Sequence, residues 1–210
     1  MPSLYSISLS LHNWKEKLKD GHVYLDGDRC YFVLNPGQNL DRTQKFFEDT
    51  FKSIPRWTGL ISKPPTENEC LAALQNHDLF LYCGHGNGKQ YIKNDFLKKC
   101  VCKAVPILMG CYSAKLYKYK DGDPMGTVYY YLMTGSPAVV ANLWGVTDKD
   151  IDQFLNNVLY DILKNSVSVA ESVAKNRSIC HLKNLNGAAP IVYGIPVKFS
   201  FVDYPQPSKC

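Results

Sequence analysis

Short apolar runs alternate with amphipathic segments along most of the chain. Runs of four to eight apolar residues that are bounded by glycine, proline or asparagine are typical of buried strands. Five segments fit this description and predict strands: residues 30–34, 57–61, 78–83, 104–109 and 137–144. A further segment of small residues, 187–197, predicts a last strand or a tight loop.

Apolar residues at helical spacing lie between these predicted strands. Residues 40–51 predict a helix with Asp41 as its N-cap, and Thr66 with Glu69 forms the sequence of a capping box at the start of the next helix. Asp123, followed by a proline, predicts the start of another helix.

The clearest helix begins after Thr147, its expected cap, and has apolar residues at i, i+3, i+4 and i+7 from Ile151 onwards. Strands that alternate with helices indicate βαβ units, a mostly parallel sheet and helices on both faces. We therefore expect an α/β fold. The expected division is an N-terminal extension over residues 1–24, a catalytic domain over 25–200 and a loose tail over 201–210.

Composition narrows the function classes. The 24 basic and 19 acidic residues give a net charge of +5, but they are scattered, so no direct nucleic-acid binding is expected. No apolar stretch reaches the about 18 residues of a membrane span, and the first residues lack the basic start of a signal peptide. The eight cysteines include no CxxC pair, which favours reduced, intracellular thiols and predicts no zinc.

His85 and Cys111 are the residues whose placement suggests chemistry. His85 directly follows one predicted strand and Cys111 directly follows the next, 26 residues later. If these strands are parallel neighbours, both side chains emerge at the carboxyl edge of the sheet, where α/β proteins build their sites. The sequence thus predicts an imidazole near a thiol, although a cysteine at a strand end is more often a small buried residue.

Glycines flank both residues and leave room for a substrate carbonyl. The backbone N–H groups of Gly86 and Cys111 are the expected oxyanion hole. The histidine either forms an ion pair with a thiolate or acts as a general base once substrate is bound, and the spacing fits both. In either case His85 would protonate the leaving amine.

Around these residues the sequence resembles the protease domain of separase, a clan relative of the caspases. The resemblance runs from about residue 25 to residue 197. It rests on residues 34–37 with Leu40 and Asp41, and on residues 82–86, 108–111, 135–137, 141–144, 146–152 and 187–197.

The resemblance implies a caspase-like α/β fold and a Cys–His endopeptidase without a cofactor, with His85 and Cys111 at the positions of the family's histidine and nucleophile. Separases cleave the kleisin subunit of cohesin after an arginine, in a Glu-x-x-Arg context, to trigger sister chromatid separation at anaphase. Securin inhibits them as a pseudosubstrate. The family thus implies a kleisin substrate, a securin-like inhibitor and residence in the cytoplasm and nucleus.

An arginine-specific pocket needs a carboxylate. Asp148 and Asp152 lie one helical turn apart after the fifth predicted strand. By the family's pattern we expect Asp152 to bind the substrate arginine and Asp148 to support it. Acidic residues in the first turn of a helix also simply complement its dipole, which is the alternative interpretation for this cluster.

The chain departs from the separase pattern at two positions. The family commonly has serine after the nucleophile and aspartate after the tryptophan, where this chain has Tyr112 and Gly145. Separases also carry large N-terminal regions that this chain lacks, and the catalytic domain is expected to dock on them. Two alternatives remain open: a CHAT-type cysteine protease, and an inactive protease-like scaffold that binds a securin-like partner.

Overall fold

A computed structural model describes residues 3–118 and 122–207, which form helices around two β-sheets. The α-helices are α1 (Leu4–Asn13), α2 (Asp41–Ser53), α3 (Glu67–Asn76), α4 (Asn94–Leu97), α5 (Thr127–Met133), α6 (Asp148–Leu159) and α7 (Val169–Asn176). The strands are β1 (Leu18–Lys19), β2 (His22–Leu25), β3 (Cys30–Leu34), β4 (Thr58–Ile61), β5 (Leu79–Cys83), β6 (Val105–Leu108), β7 (Ala138–Asn142), β8 (Pro190–Gly194) and β9 (Val197–Phe199).

The main sheet has six strands in the order β4-β3-β5-β6-β7-β8. The first five are parallel, and only β8 at the edge runs antiparallel, beside β7. The expected α/β fold with a mostly parallel sheet is confirmed. In the register, Tyr82 lies beside Leu108, and Leu108 beside Ala141. The carboxyl ends of the three central strands therefore meet at one edge.

Both faces of this sheet are covered, which explains why its strands read as continuous apolar runs. Along β5, Leu79, Leu81 and Cys83 point into one core, which they share with α2, α6 and α7. Phe80 and Tyr82 point into the other core, which contains residues of α3, α4 and α5.

The N-terminal segment belongs to the second sheet, in the order β1-β2-β9, where β2 pairs in parallel with β9. The indole N–H of Trp14 donates to the Gly135 carbonyl at 3.0 Å, and Lys17 forms an ion pair with buried Asp78. The expected extension is therefore fastened to the main domain from Trp14 onwards, whereas helix α1 before it has no buried residue. Residues 1–2 lie outside the described part of the chain.

The expectation of a loose tail is wrong at Val202 and Tyr204. Both side chains are buried, and the Tyr204 hydroxyl donates to Asn156 on α6 at 2.8 Å while its ring lies against Trp57. Burial of an aromatic side chain holds the segment on the domain despite its prolines. Residues 208–210 lie outside the described range.

Two predicted helix starts are displaced. Leu40, not Asp41, is the N-cap of α2, because the Asn35 side-chain oxygen accepts from the Asn39 and Leu40 N–H groups and fixes the entry of the chain. The helix predicted from Asp123 begins only at Thr127, because Met125 forms a two-way backbone bridge with Tyr117.

The capping box of Thr66 and Glu69 is confirmed, with both of its hydrogen bonds formed.

Seven cysteines lie in the described residues and all are free thiols, of which only Cys111 is not fully buried. Cys210 falls outside that range. Within it, no helix is both long and apolar enough to cross a bilayer. No three histidine, cysteine or acidic side chains come together there in a metal-binding arrangement.

Candidate active site

The expected pair, His85 and Cys111, lies at the carboxyl edge of the main sheet. His85 follows β5 and Cys111 follows β6, and these strands are parallel neighbours. Both residues line one open cleft. Its other lining residues are Leu40, Thr43, Cys83, Gly84, Met109, Gly110, Val146, Asp148, Ile151 and Asp152.

The loops that carry His85 and Cys111 touch through their backbones. A Cβ on Gly110 would lie 1.8 Å from the Gly86 carbonyl oxygen and 2.6 Å from that of Gly84. No side chain fits there, so only glycine allows this approach. The absence of a side chain at Gly110 thus brings the Cys111 loop against the His85 loop.

Two side chains hold the main chain of His85 in place by hydrogen bonds to its carbonyl oxygen. The Tyr82 hydroxyl donates to the His85 carbonyl at 2.8 Å, and Gln90 donates to the same oxygen at 3.3 Å. The imidazole itself is exposed and has no hydrogen-bond partner within residues 3–118 and 122–207. Within the described part of the chain, no other side chain orients the ring by a hydrogen bond.

The main chain of Val146 brackets the Cys111 sulfur. The Val146 N–H donates to Sγ at 3.3 Å, and the thiol donates to the Val146 carbonyl at 3.4 Å. The Val146 backbone thus fixes the position of the sulfur in the cleft.

The loop that carries Cys111 is hydrogen-bonded to the ends of both β6 and β7. The Ser113 hydroxyl, fully buried, donates to the Leu108 carbonyl at the end of β6 and accepts from the Asn142 N–H at the end of β7, each at 2.8 Å. The Ala114 N–H donates to the Asn142 carbonyl.

Among the hydrogen bonds of the described residues, neither the Gly86 N–H nor the Cys111 N–H has an acceptor. Both are available to a ligand carbonyl.

Asp152 is 5% exposed and lies in the cleft beside the pair. The Thr43 hydroxyl donates to its carboxylate at 2.8 Å. Burial, with a contribution from the neighbouring charge of Asp148, raises the pKa of Asp152 to about 7 despite that hydrogen bond. Asp148 lines the same cleft and is exposed. The structure thus brings both expected carboxylates to the same cleft as His85 and Cys111.

Asp150, between them, faces the other way. It is buried and accepts hydrogen bonds from the His181 and Leu182 N–H groups and from the Asn186 side chain. Burial alone would raise the pKa of Asp150, but these three donors outweigh it and hold the pKa below its usual value. Asp150 therefore anchors the loop that precedes β8 and takes no part in the cleft.

Residues 1–151 match the sequence model described as the protease domain of separin. This chain belongs to that family. It is 42% identical to separin of Saccharomyces cerevisiae over 185 residues, 82% of this chain and 11% of the relative. It is 35% identical to separin of Mus musculus, again over 82% of this chain and over 8% of the relative. The chain thus spans about a tenth of the length of the curated relatives it matches.

The fold matches as well. A crystal structure of the Saccharomyces cerevisiae separase–securin complex superimposes with a TM-score of 0.87 at 38% identity, over 95% of this chain and 14% of that one. The match to the separin family favours the separase interpretation over the CHAT-type alternative.

The two positions at which this separin domain departs from the separase pattern lie in contact. The Tyr112 ring stands 3.5–3.7 Å from the point where a Gly145 side chain would begin. Tyr112 has a left-handed backbone, with φ of 58°, and the Lys115 ammonium lies 5.3 Å from its ring centroid. The tyrosine therefore occupies the space that the small residue opens.

Sequence reasoning assigned no role to Thr43, Ser113 or the Val146 main chain in this separin domain. Thr43 is 109 residues from Asp152 in the chain, and no local pattern signals their hydrogen bond. Only the tertiary packing of α2 against α6 shows it.

Proposed function

We propose that this chain is the catalytic domain of a separase-type cysteine endopeptidase, with Cys111 as nucleophile and His85 as general base and acid. The observation that carries the proposal is the shared cleft of these two residues at the carboxyl ends of β5 and β6. Membership of the separin protease-domain family supports the same reaction class.

The proposed reaction begins with Cys111 and His85, which both line the cleft. The Cys111 sulfur attacks the scissile carbonyl and its proton goes to His85, which then gives a proton to the leaving amine. The free N–H groups of Gly86 and Cys111 stabilise the oxyanion of the tetrahedral intermediate. Water then hydrolyses the acyl-enzyme with His85 as base.

Asp152 is the proposed partner of a substrate arginine. A buried carboxylate in the cleft suits a guanidinium group. The planar guanidinium has five N–H donors, and two of them can bind the two carboxylate oxygens side by side. Asp148, exposed on the same face of α6, adds negative charge at the entrance. We propose the Glu-x-x-Arg sequence of a cohesin kleisin as substrate, cleaved to release sister chromatids.

A securin-like inhibitor is the proposed protein partner. Two crystal structures that this chain resembles are separase–securin complexes of Saccharomyces cerevisiae, and an inhibitor that carries a pseudosubstrate segment would occupy the same cleft. The inactive-scaffold alternative would use this cleft for binding alone, and the thiol reactivity of Cys111 separates the two.

The experiment is labelling with a thiol-reactive peptide that ends in Glu-x-x-Arg, followed by mass spectrometry. We expect modification at Cys111 and not at Cys83, the other cysteine in the cleft. Burial, and then the charge of Asp152, raise the pKa of the Cys83 thiol, which keeps it protonated and unreactive.

Labelling should be lost in His85→Ala and kept in the control His22→Ala, a histidine on β2 in the second sheet. Weaker labelling in Asp152→Ala would support the arginine pocket. A folded protein that binds the peptide but leaves Cys111 unmodified would overturn the proposed activity in favour of the scaffold.

A further inference from the structure

Asn142 is a buried polar side chain to which the proposed reaction gives no role. It ends β7 directly beneath the Cys111 loop and is 0% exposed. Its side-chain N–H₂ donates to the Gly110 carbonyl at 3.4 Å. Its side-chain oxygen has no hydrogen-bond partner in the described structure. An amide that is buried with half of its hydrogen-bonding capacity unused calls for an explanation beyond stability.

The Gly110 carbonyl and the Cys111 N–H belong to the same peptide unit. In a trans peptide these two groups point in opposite directions. A hydrogen bond that holds the carbonyl inward, towards β7, therefore directs the N–H outward, towards the cleft. The same hydrogen bond polarises the peptide and makes its N–H a stronger donor.

We infer that Asn142 is a positioning residue that sets the Gly110–Cys111 peptide so that the Cys111 N–H serves as an oxyanion donor. The inference rests on the proposed function, since it concerns the same site. Gly110 is held on its other side by contact with the Gly86 carbonyl, so the peptide lies between the His85 loop and the Asn142 amide.

Because the Asn142 side-chain oxygen has no hydrogen-bond partner in the described structure, the effect of a substitution on catalysis can be separated from its effect on folding. Asn142→Ala removes one long hydrogen bond and leaves the buried Gly110 carbonyl without this donor, which costs stability. It also removes one buried acceptor without a partner, which restores part of that stability. We therefore expect a moderate fall in thermal midpoint, about 5 °C or less, together with a large change in catalysis.

The test compares the full chain with Asn142→Ala on a Glu-x-x-Arg peptide substrate. Removing an oxyanion donor outright costs about 10²–10³ in rate, so misdirecting one should lower kcat about tenfold to a hundredfold with KM nearly unchanged. A peptide aldehyde that ends in arginine should lose affinity by a similar factor, because the thiol adds to its carbonyl and places an oxyanion in the hole. The corresponding peptide alcohol, which has no carbonyl, should bind equally well to both proteins.

Asn176→Ala is the matched control. Asn176 is also a buried asparagine, but it donates to Asp161 and to the Ser172 carbonyl away from the cleft. We expect it to lower the thermal midpoint and to leave the ratio of aldehyde to alcohol affinity unchanged. Asn142→Asp, which keeps the side-chain shape but presents oxygen to the Gly110 carbonyl, is a second variant and should repeat the loss in kcat.

Either of two results would overturn the positioning role. One is a folded Asn142 variant with kcat within twofold of the unmodified chain. The other is an aldehyde affinity that falls no more than the alcohol affinity. If the unmodified chain is not labelled at Cys111, the proposed function fails and this inference fails with it. If the unmodified chain is labelled and active, and the Asn142 variants are equally active, only the inference is refuted.

Discussion

Gly110 and Gly86 lie so close that a Cβ on Gly110 would stand 1.8 Å from the Gly86 carbonyl oxygen. The two residues belong to loops that follow neighbouring parallel strands, and each adjoins a residue of the proposed dyad. The contact between backbones sets how near the thiol and the imidazole come. The spacing of the dyad thus depends on a residue with no functional group of its own.

Gly110→Ala should abolish labelling of Cys111 and destabilise the protein, because backbone atoms cannot give way as a flexible side chain can. Gly145→Ala is the matched control, since its new methyl group would meet the Tyr112 ring at 3.5 Å, an ordinary contact. We expect a loss of several kcal/mol for the first variant and under about 1 kcal/mol for the second, measured by chemical denaturation. Equal effects of the two variants would contradict this account.

Asp152→Asn should stabilise the free protein at alkaline pH. The pKa of Asp152 is raised to about 7 in the folded state, so between its usual value and 7 the folded protein binds more protons than the unfolded chain. Stability from this group is therefore greatest at low pH and falls as pH rises to 7. The gain in the variant should be near zero at pH 4 and on the order of 3 kcal/mol at pH 8.

Asp150→Asn should change stability with pH in the opposite direction, although Asp150 lies on the same helix as Asp152. The pKa of Asp150 is lowered by its hydrogen bonds, so its ionised form stabilises the fold at neutral pH and loses that contribution as pH falls. The variant should be less stable at pH 7, with the difference shrinking in acid. If both variants shifted stability in the same direction with pH, the assigned environments of the two carboxylates would be wrong.

Arginine binding should strengthen with rising pH. The guanidinium group needs the ionised form of Asp152, whose pKa of about 7 leaves it mostly protonated at pH 6. A peptide alcohol that ends in arginine should therefore bind about tenfold more tightly at pH 8 than at pH 6. The same peptide with citrulline, a neutral isostere, should lack this dependence, as should the arginine peptide with Asp152→Asn. Calorimetric titration measures all three.

Tyr112 and Gly145 should prove energetically coupled. Gly145→Asp alone places a carboxylate against the Tyr112 ring, whereas Tyr112→Ser opens the space that the carboxylate would fill. Gly145→Asp should therefore cost less stability in the Tyr112→Ser background, with a coupling energy of about 0.5–1 kcal/mol in a double-mutant cycle. Additive effects would mean that the ring does not compensate for the missing side chain.

Local pattern was enough for the strands of the main sheet and for several helix ends, but it missed β1, β2 and the second sheet that they form with β9. Residues 30–34 were predicted with the bounds that the structure has, and the Thr66–Glu69 box is local by nature. The pattern misplaced the helix after Asp123, because the bridge between Tyr117 and Met125 competes for the same backbone groups. It also missed the burial of Tyr204, which depends on contact with Asn156 and Trp57 elsewhere in the chain.

The sequence by itself determined the strands of the main sheet, the family resemblance and the two residues of the proposed dyad. These follow from local periodicity and from residues that end consecutive strands. Only the tertiary structure decided that Asp152 enters the cleft while Asp150 turns to the Asn186 loop, and that Asn142 reaches Gly110. Contacts between distant segments depend on strand register and helix packing, which no local pattern of hydrophobic and polar residues encodes.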